Sequence, residues 1–596
     1  MEIATIFNDQ IEASLSGNET RIKVVQAETG TGKTQGLALY CSMLPEDVGV
    51  LIITRMKRQA DDLADLINNF AGKEIAVARH GDNKLTSEQT NDCQVLVITH
   101  KAFEMSLDLI NQGREAALSS TMTWAEGERM FTVIDEALDV IRISQAELDE
   151  LTRVIGCIPS SIRKDFPKQI NALAQLQESL EEIADAQENE HRKGAILREH
   201  AREDLEDFDM TELRRAVKGV EWDRIIGCSR SLRERQKIAT RIDKTLQSAQ
   251  ALAESWAYYA KEGVQHSLST SSCIIPDEFS NVIILDATAS SNLIYDLLGS
   301  VDIPALPKAR DYSNVTLHTA RVTGVGKTKM TTKAKKRTAA LVSNLQENLS
   351  SDKSVFVCCH KDVEPHLKGY DLPFDQFETG HWGAIDGRND WQEFDTAVIF
   401  GLPYMSPSWP LMTYAATRGL PSQSWIDNGD ERRFKKHKDV NRALEVGQLV
   451  TSIIQTINRV RCRRVIDKDG NCDPTDIFIL LPKGKKGDKI LKGIVKEMPN
   501  IVVQKWSFNF GTKSKKRLRK SDHEEALITY ARNMYEGEVS AKELREELGI
   551  PLRSWERLVK KLKDKSSELF RQLRSLGVTF NSTFMGRGSR SYLSKS

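Results

Sequence analysis

Residues 22–34 read IKVVQAETGTGKT, an apolar strand-like run that leads into a glycine-rich loop and then into the helix-like stretch QGLALYCSML. Gly30 and Gly32 let successive backbone N–H groups turn inward around phosphate groups, and the start of the helix adds the positive end of its dipole. Lys33 is expected to neutralise the β- and γ-phosphates, and the Thr34 hydroxyl to hold Mg²⁺. The stretch therefore predicts a loop that binds a nucleoside triphosphate.

Two adjacent carboxylates follow further along the chain, where the apolar run Phe131–Ile134 ends in Asp135 and Glu136. At the carboxyl end of a strand, downstream of a phosphate loop, such a pair suits two tasks. Asp135 orders Mg²⁺, and Glu136 activates the attacking water. The sequence thus predicts a site that hydrolyses the triphosphate.

Short apolar, β-branched runs alternate with helix-like stretches over residues 20–140 and again over 282–481. This alternation is typical of parallel sheets that are covered by helices on both faces. Residues 142–270 differ, since they are rich in Glu, Ala, Leu, Gln and Arg with apolar residues at helical spacing. We therefore expect an α/β fold with two parallel-sheet domains and an α-helical insertion.

The composition excludes several classes of protein. With 596 residues, 40% of them apolar and 28% charged, the chain has the length of several globular domains and is neither disordered nor fibrous. No apolar run reaches the ~20 residues that span a bilayer, and the N-terminus lacks a secretion signal. The nine cysteines never form a C-x-x-C pair, so neither a disulfide framework nor a zinc site is expected. These features favour a cytoplasmic protein with no membrane partner.

The charge is unevenly distributed along the chain. Residues 511–596 hold 20 Lys and Arg against 11 Asp and Glu, a formal charge of +9, although the formal charge of the whole chain is zero. A basic tail on a mildly acidic body favours a polyanion-binding module.

Within this tail, SAKELREELG and IPLRSWERLVKKLK have helix-turn-helix spacing. A further helix and a hairpin with Arg587 at its tip follow, so the module resembles a winged-helix domain. Trp555 is expected in its core, and a role in bracing or in protein contacts is the alternative to nucleic-acid binding. With Arg587, the residues of the candidate recognition helix expected to contact nucleic acid are Arg553, Arg557 and Lys560, and Lys561 lies on or near the same helix.

The phosphate loop AETGTGKT (27–34) and the box DEAL (135–138) resemble motifs I and II of superfamily-two helicases of the DEAD/DEAH-like group. The resemblance covers residues 1–505 and implies two RecA-like domains that hydrolyse ATP, with Mg²⁺, in the cleft between them. Further stretches resemble the remaining motifs in the family's order, namely Ia at 50–63, Ib at 95–103, III at 282–290, IV at 354–361, V at 387–403 and VI at 455–464.

The resemblance also assigns roles to residues outside motifs I and II. In motif VI, Gln455 and Arg459 carry over as catalytic residues, and the second arginine finger is either Arg461 or Arg463, because Cys462 stands where the family has arginine. Motifs Ia and Ib imply contacts with the nucleic-acid backbone from Thr54, Arg55, Thr99 and His100.

A glutamine upstream of motif I reads adenine in the family. Here Gln10, after Phe7, either has this role or is an ordinary surface glutamine. The residues expected to bind ATP are Gly30, Thr31, Gly32, Lys33, Thr34 and Gln10.

The expected domains combine the motifs with the composition. The insertion stands where iron–sulfur helicases carry a helical arch. Those enzymes hold a cluster with four cysteines between motifs I and II, where this chain has only Cys41 and Cys93, so no cluster is expected. In chain order the expected segments are a first RecA-like domain at 1–141, completed by 271–305, the insertion at 142–270, a second RecA-like domain at 306–510, and a basic linker with a winged helix at 511–596.

A second glycine-rich string, TGVGKT at 323–328, does not qualify as a phosphate loop. A small residue is required five positions before Gly326, where Arg321 stands, and the charged run KMTTKAKKR follows. We expect a basic loop here.

Three functions agree with these features. The first is an ATP-driven helicase or translocase on single-stranded or forked DNA, working with replication, repair or mobile-element proteins. The second is an RNA helicase, and the third is a nucleic-acid-binding ATPase switch of a mobile-element initiator or regulator. The winged helix and the motif III sequence LDATA favour DNA, while intact Lys33 and Glu136 argue against an inactive switch. The chain is compact for a helicase and has no accessory nuclease motifs, and this favours a bacterial, phage or plasmid origin.

Overall fold

The computed structural model describes residues 2–16, 22–110, 121–136, 140–189, 194–197, 205–220, 232–262, 264–275, 281–510, 522–585 and 588–595. Part of the DEAL box (137 and 138), the basic run 513–520 and Arg587 lie outside these residues. The chain divides into two compact units, Met1–Phe508 and Asn509–Ser596. No helix among the described residues is long and apolar enough to cross a bilayer.

The larger unit is an α/β assembly. In chain order its strands are β1 (Ile22–Val25), β2 (Val50–Thr54), β3 (Ala76–Arg79), β4 (Val95–Thr99), β5 (Thr123–Trp124), β6 (Gly127–Glu128), β7 (Phe131–Asp135), β8 (Ile141–Glu147), β9 (Gly194–Leu197), β10 (Ala257–Glu262), β11 (Gln265–Cys273), β12 (Val282–Leu285), β13 (Val301–Asp302), β14 (Val315–Val322), β15 (Ser354–Cys359), β16 (Gln376–His381), β17 (Thr396–Phe400), β18 (Thr475–Pro482) and β19 (Val502–Lys505). Its helices are α1 (Glu2–Leu15), α2 (Lys33–Ser42), α3 (Lys57–Ala71), α4 (Ser87–Asp92), α5 (His100–Ile110), α6 (Leu148–Cys157), α7 (Ser160–Asp165), α8 (Pro167–Asn189), α9 (Thr211–Lys218), α10 (Leu232–Glu254), α11 (Leu293–Leu298), α12 (Lys327–Thr332), α13 (Ala334–Asn348), α14 (Glu364–Lys368), α15 (Trp409–Arg418), α16 (Gln423–Asp427), α17 (Val440–Ile457) and α18 (Lys485–Glu497).

The first sheet has seven strands, all paired in parallel, in the order β13-β1-β12-β7-β2-β4-β3. Every residue of β2 and β4 is buried, as expected of strands with helices on both faces. One apolar core includes Phe7 of α1, Leu37 of α2 and Ile67 of α3, and the other includes Phe103 of α5 and Tyr295 of α11. Because the carboxyl ends of parallel strands share one edge, the loops after β1, β7 and β12 meet there.

The second sheet is also entirely parallel, with the strand order β16-β15-β17-β18-β14-β19. Its central strand β17 is fully buried. Helix α17 packs beside this sheet and ends at Ile457, and the turn that follows carries Arg459 and Arg463. The prediction of two RecA-like parallel-sheet domains is confirmed.

The segment between β7 and β12 contains helices, as predicted, and also a sheet that the sequence did not predict. Strands β8, β11, β10 and β9 pair antiparallel in that order. Their residues include buried Ser267, Ser269 and Thr270 of β11, and Leu173 and Leu246 of the helices lie in the core of this segment. Serine-rich strands have little β-propensity, and β8 pairs with a strand that is distant along the chain. No local sequence pattern therefore predicts this sheet.

An apolar cluster joins this segment to both parallel-sheet domains. Leu297 of α11 packs with Trp409 and Met412 of α15, and Tyr258 of β10 lies against them. The hydroxyl group of Ser271 in β11 donates a hydrogen bond to the Met412 carbonyl oxygen (2.7 Å). The insertion therefore contacts the second domain as well as the first.

The TGVGKT string follows β14, and here the prediction of a basic loop is corrected in part. Helix α12 begins at Lys327, so the charged run after the glycines is helical. Val325 is buried, and Arg337 of α13 donates hydrogen bonds to the carbonyl oxygens of Thr323 (3.4 Å) and Gly324 (2.5 Å). The carbonyls of the string thus bind the chain's own arginine.

In its described residues, 522–585 and 588–595, the smaller unit has four helices and an antiparallel sheet in the order β20-β22-β21. Its core includes Leu527, Leu544, Trp555, Leu573 and Leu593, so Trp555 lies in the core as expected. Its elements, in chain order, are α19 (Asp522–Asn533), β20 (Gly537–Ser540), α20 (Ala541–Glu547), α21 (Leu552–Lys563), α22 (Glu568–Ser575), β21 (Val578–Met585) and β22 (Gly588–Lys595).

Candidate active site

The loop between β1 and α2 has the backbone shape that its glycines allow. Gly30 and Gly32 have φ angles of 81° and 82°, in the left-handed region that other residues disfavour. The Nζ atom of Lys33 donates hydrogen bonds to the carbonyl oxygens of Ala27 (2.7 Å) and Glu28 (3.2 Å). Lys33 therefore lies within its own loop, with its ammonium group held by carbonyls that a phosphate can replace.

The negative charges around Lys33 come from two neighbouring strand ends, those of β7 and β12. Burial lowers the pKa of Lys33, while the negative charges of Asp135 and Asp286 act in the opposite direction. Burial also raises the pKa of Asp135 to about 6, and the charge of Glu136 adds to this effect. The site therefore holds one lysine and three carboxylates in surroundings largely shielded from water, where electrostatic interactions are strong.

Glu136 has an unusual backbone conformation. Its φ angle is 65°, in a region where a residue other than glycine is strained. Its Oε1 atom lies 3.8 Å from Nη2 of Arg459, and its Oε2 atom is buried with no hydrogen-bond partner among the described residues. Because an unpaired buried carboxylate oxygen costs free energy, this atom is placed for a partner from outside the chain, such as water.

Asp286 is a residue of this site that the sequence analysis missed. It follows β12, which lies between β1 and β7 in the sheet. Its Oδ1 atom accepts hydrogen bonds from the backbone N–H (2.8 Å) and the hydroxyl (2.7 Å) of Thr288, and Oδ2 accepts one from the Tyr295 hydroxyl (2.9 Å). The signal was present in LDATAS, because its aspartate ends an apolar strand as Asp135 does.

The second domain contributes two arginines to the same place. Arg459, 6% exposed, donates a hydrogen bond from Nη1 to the Arg388 carbonyl oxygen (3.1 Å) and faces Glu136. Arg463 donates a hydrogen bond to Oδ1 of Asn389. Burial and the charge of Arg459 lower the pKa of Arg463, and the charges of Glu136 and Asp135 oppose this.

The two candidates for the second arginine finger, Arg461 and Arg463, lie in different surroundings. The Arg461 side chain donates a hydrogen bond from Nε to the Pro474 carbonyl oxygen (2.7 Å) and does not line the cleft. Arg463 lies in the cleft instead. A short 3-10 turn over Arg461–Arg463 sends the two side chains in different directions, which the spacing of the motif did not reveal.

The cavity between the two sheets has a volume of about 400 Å³, within the usual range of ligand pockets. Residues of both domains line it. Those that the sequence analysis or the geometry singles out are Gly30, Gly32, Lys33, Thr34, Asp135, Glu136 and Asp286 from the first domain and Gln455, Arg459 and Arg463 from the second. Thr31 lies in the same loop and donates from its hydroxyl to the Glu28 carbonyl oxygen (2.7 Å).

Gln10 lies elsewhere in the first domain. It is 1% exposed within α1 and does not line the cavity. Phe7, one turn earlier, is fully buried with its ring centroid 4.9 Å from that of Tyr40. Gln10 is thus no surface glutamine, and its contact with adenine stays a prediction.

The threonines of motifs Ia and Ib lie at neighbouring strand ends. Thr54 ends β2 with 1% of its surface exposed, and Thr99 ends β4 with 7% exposed. The Thr54 hydroxyl donates to the Met56 carbonyl oxygen (3.3 Å), and the Thr99 hydroxyl accepts from the backbone N–H of Ala102 (3.3 Å). Both hydroxyls hold the backbone of a following loop or helix, and their contact with nucleic acid stays a prediction.

Arg55 and His100 connect these loops to other parts of the site. Nη2 of Arg55 lies 2.7 Å from Oδ2 of Asp386, the residue just before motif V in the second domain. Burial and the charge of Arg55 lower the pKa of His100 to about 4, although a hydrogen bond with the backbone of Asp135 opposes this. His100 thus contacts the strand end that carries Asp135 and Glu136, and it is uncharged at neutral pH.

In the smaller unit, helix α21 has one apolar and one basic face. Trp555, Leu558 and Leu562 are buried. Lys561 binds Oε1 of Glu524 (2.6 Å). On the exposed face, one concave surface is lined by the basic residues Arg553, Arg557, Lys560 and Lys563.

Thr34 and Asp135 are the residues that fit a magnesium ion. Among the residues that the structure describes, no group of three or more His, Cys, Asp or Glu side chains could hold a metal by itself. Nucleotide-bound Mg²⁺ needs only one or two protein ligands, because phosphate oxygens and water complete its shell. Thr34 and Asp135 both line the cavity, so the donor set agrees with such a site.

No protein-family model and no curated protein matches the chain. Among solved structures, it is similar to S. cerevisiae Dbp5 bound to RNA and ADP BeF3, with 10% identity and a TM-score of 0.34 over 84% of this chain and 93% of that one. It is also similar to a hypothetical ATP-dependent RNA helicase from Sulfolobus tokodaii (12% identity, TM-score 0.19, 82% and 99% covered) and to T4 UvsW (9%, 0.18, 83% and 76%). At these TM-scores the likeness decides neither family nor activity.

Proposed function

We propose that the chain is an ATP-driven helicase or translocase of superfamily two that acts on DNA. The observation that carries this proposal is the convergence of Lys33, Asp135 and Glu136 with Arg459 and Arg463 at one cleft between two parallel sheets. Phosphoryl transfer to water requires a cation that binds the phosphates, one carboxylate that binds the metal and another that activates the water. It also requires arginines that stabilise the charge of the transition state.

In the proposed reaction, Lys33 exchanges the carbonyls of its loop for phosphate oxygens. Glu136 accepts a hydrogen bond from the attacking water through its unpaired Oε2 atom and takes up the proton. Arg459 and Arg463 stabilise the negative charge that develops on the γ-phosphate oxygens. Mg²⁺ held by Thr34 and Asp135 neutralises phosphate charge when it is bound.

Movement on nucleic acid would follow from the division of the site between two domains. Catalysis requires the arginines of the second domain to contact the triphosphate that is bound to the first domain. Hydrolysis and phosphate release therefore change the free energy of the contact between the two domains. The pair of Arg55 with Asp386 crosses the same junction, next to Thr54 of motif Ia. We infer that this junction, with Thr99 and His100 of motif Ib, follows the nucleic-acid backbone.

The domain limits are proposed as 1–141 with 271–305, 142–270, 306–510 and 511–596. They are supported by β12 and β13, which belong to the first sheet although they follow the insertion. The last segment is proposed as a winged helix that anchors DNA. Its support is the basic face of α21 and the charge of +9.

The test is ATP hydrolysis measured without nucleic acid and with single-stranded DNA, duplex DNA or RNA of matched length. We expect DNA to stimulate hydrolysis more than RNA does, and forked DNA to be unwound in a strand-displacement assay. Stimulation by RNA alone would favour the RNA helicase, and DNA stimulation without displacement would favour a switch. An absence of hydrolysis under all conditions would contradict the assignment of the cleft.

A further inference from the structure

The segment that connects β13 to β14 carries a buried arginine that the proposed reaction does not use. Arg310 is 4% exposed. Its Nη1 atom donates hydrogen bonds to the carbonyl oxygen of Arg463 (2.8 Å) and to that of Thr29, and its Nη2 atom donates to the carbonyl oxygen of Cys462. One guanidinium group therefore joins the phosphate loop of the first domain to the turn of the second that carries Arg463.

Close contacts surround this group. The Arg310 guanidinium lies over the ring of Tyr312, 4.7 Å from its centroid. A Cβ atom at Gly30 would overlap the carbonyl oxygen of Arg463 and would lie 2.9 Å from Nη1 of Arg310. The absence of a side chain at Gly30 is thus required for the two loops and the arginine to meet.

Arginine suits this position better than lysine. Its planar group presents several N–H donors in a fixed fork, so it can bind carbonyls of two loops at once, whereas an ammonium group holds no fixed plane. The three carbonyl oxygens that Arg310 binds are uncharged, and burying a charge in this way is unfavourable compared with an apolar side chain. A buried arginine here therefore points to a geometric task rather than to stability.

We propose that Arg310 is a positioning residue for ATP hydrolysis. It fixes the backbone of Cys462 and Arg463 against the phosphate loop, so that the Arg463 guanidinium meets the γ-phosphate of bound ATP. Arg310 does not line the nucleotide cavity, so it acts through the backbone that it holds and through the Arg463 side chain. The inference rests on the proposed function, since it assumes that Arg463 stabilises the transition state.

The test is a double-mutant cycle on kcat and KM for ATP, with Arg310→Gln, Arg463→Gln and the double variant. Arg463→Gln should lower kcat on the order of 10³-fold. Arg310→Gln should lower it roughly 10- to 100-fold with little change in KM, since a small displacement of a catalytic group costs that much. The double variant should be no slower than Arg463→Gln within about threefold, because residues that act as a unit are not additive.

Arg432→Gln is the matched control. The Arg432 side chain also donates to two backbone carbonyls, those of Trp425 (3.0 Å) and Ile426, and lies over the Trp425 ring. It lies outside the cleft, so its loss should leave kcat unchanged. Arg310→Lys, which keeps the charge but loses the fork, serves as a second variant where Arg310→Gln fails to fold, and it should show the same loss of kcat.

The outcomes separate the inference from the proposed function. Two results would overturn the positioning role. One is a double variant in which the losses in kcat of the single variants multiply, and the other is a wild-type kcat in Arg310→Lys. A wild-type kcat in Arg463→Gln would instead show that the arginine assignment of the proposed function is wrong.

Discussion

The nucleotide cleft and the basic face of α21 use positive charge in opposite ways. In the cleft, Lys33 is half-buried and Arg459 is buried, and specific carbonyl and carboxylate groups hold both. On α21, Arg553 and Arg557 are exposed and make no ion pair among the described residues. Buried charges are little screened by salt and have a fixed geometry, whereas exposed charges are screened and adapt to many phosphate positions.

This contrast separates chemistry from attachment. A change in the cleft should alter the rate of hydrolysis by orders of magnitude and depend little on salt. A change on α21 should alter affinity for nucleic acid and its salt dependence while leaving basal hydrolysis intact. The predictions below test this separation, from the largest expected effect to the smallest.

The largest effect is expected from motifs I and II. Lys33→Ala and Glu136→Gln should each abolish measurable hydrolysis, which for loss of a general base alone means a fall on the order of 10²–10⁴-fold. Lys33→Ala should also weaken ATP binding, because it removes a phosphate contact, whereas Glu136→Gln should leave ATP bound and uncleaved. Steady-state hydrolysis and equilibrium binding of a fluorescent ATP analogue check both variants.

Asp47→Asn, in the loop between α2 and β2, is a suitable carboxylate control outside the cavity. Near wild-type turnover in Glu136→Gln would mean that another group activates the water, and the site would have to be reassigned.

The arginines of the second domain come next. Arg459→Ala and Arg463→Ala should each lower kcat on the order of 10³-fold with little change in ATP affinity, since they stabilise charge that develops only in the transition state. Arg461→Ala should lower it less than about threefold, because its side chain binds the Pro474 carbonyl outside the cleft. A larger loss in Arg461→Ala than in Arg463→Ala would instead identify Arg461 as the second arginine finger.

A smaller effect, on affinity alone, is expected from the smaller unit. Each phosphate contact adds roughly 0.9 to the slope of log K against log salt on duplex DNA, so Arg553→Gln with Arg557→Gln should flatten that slope by about 1.8. Lys561→Gln is the matched control, because Lys561 binds Glu524. Deletion of 511–596 should flatten the slope further. Fluorescence anisotropy over a salt series measures the slopes.

Basal ATP hydrolysis, measured in the same variants, should be unchanged. Equal slopes in the wild type and in the deletion would show that the unit does not anchor DNA and would favour a bracing or protein-contact role.

The smallest effect is expected at Gln10. It is buried in α1 and does not line the cavity, so Gln10→Ala should change KM for ATP by less than about twofold. It should lower the free energy of unfolding by about 1–3 kcal/mol, because it removes a buried polar group from its contacts. A raised KM for ATP with unchanged KM for GTP would restore the adenine-reading role.

Prediction from sequence was most successful where one short stretch contains a whole structural unit. Lys33 and Asp135 each lie where an apolar strand runs into a loop, and strand, loop and helix follow one another in the chain. Asp286 also lies where an apolar strand runs into a loop, but the sequence analysis assigned this stretch to motif III without giving the aspartate a role. The antiparallel strands of the insertion were not predictable in this way, because Ser267 and Ser269 are buried by pairing with a strand more than a hundred residues away.

The sequence by itself determined the phosphate loop, the adjacent carboxylates and the alternation that builds two parallel sheets, because these depend on residues that are neighbours along the chain. Only the tertiary structure decided that Arg463 rather than Arg461 enters the cleft, and that Arg310 joins the two loops. Both depend on where a side chain points after the backbone turns and on atoms that come together from distant segments. The spacing of residues along the chain contains no information on the direction of a side chain or on contacts between distant segments, because the packing of the two domains determines both.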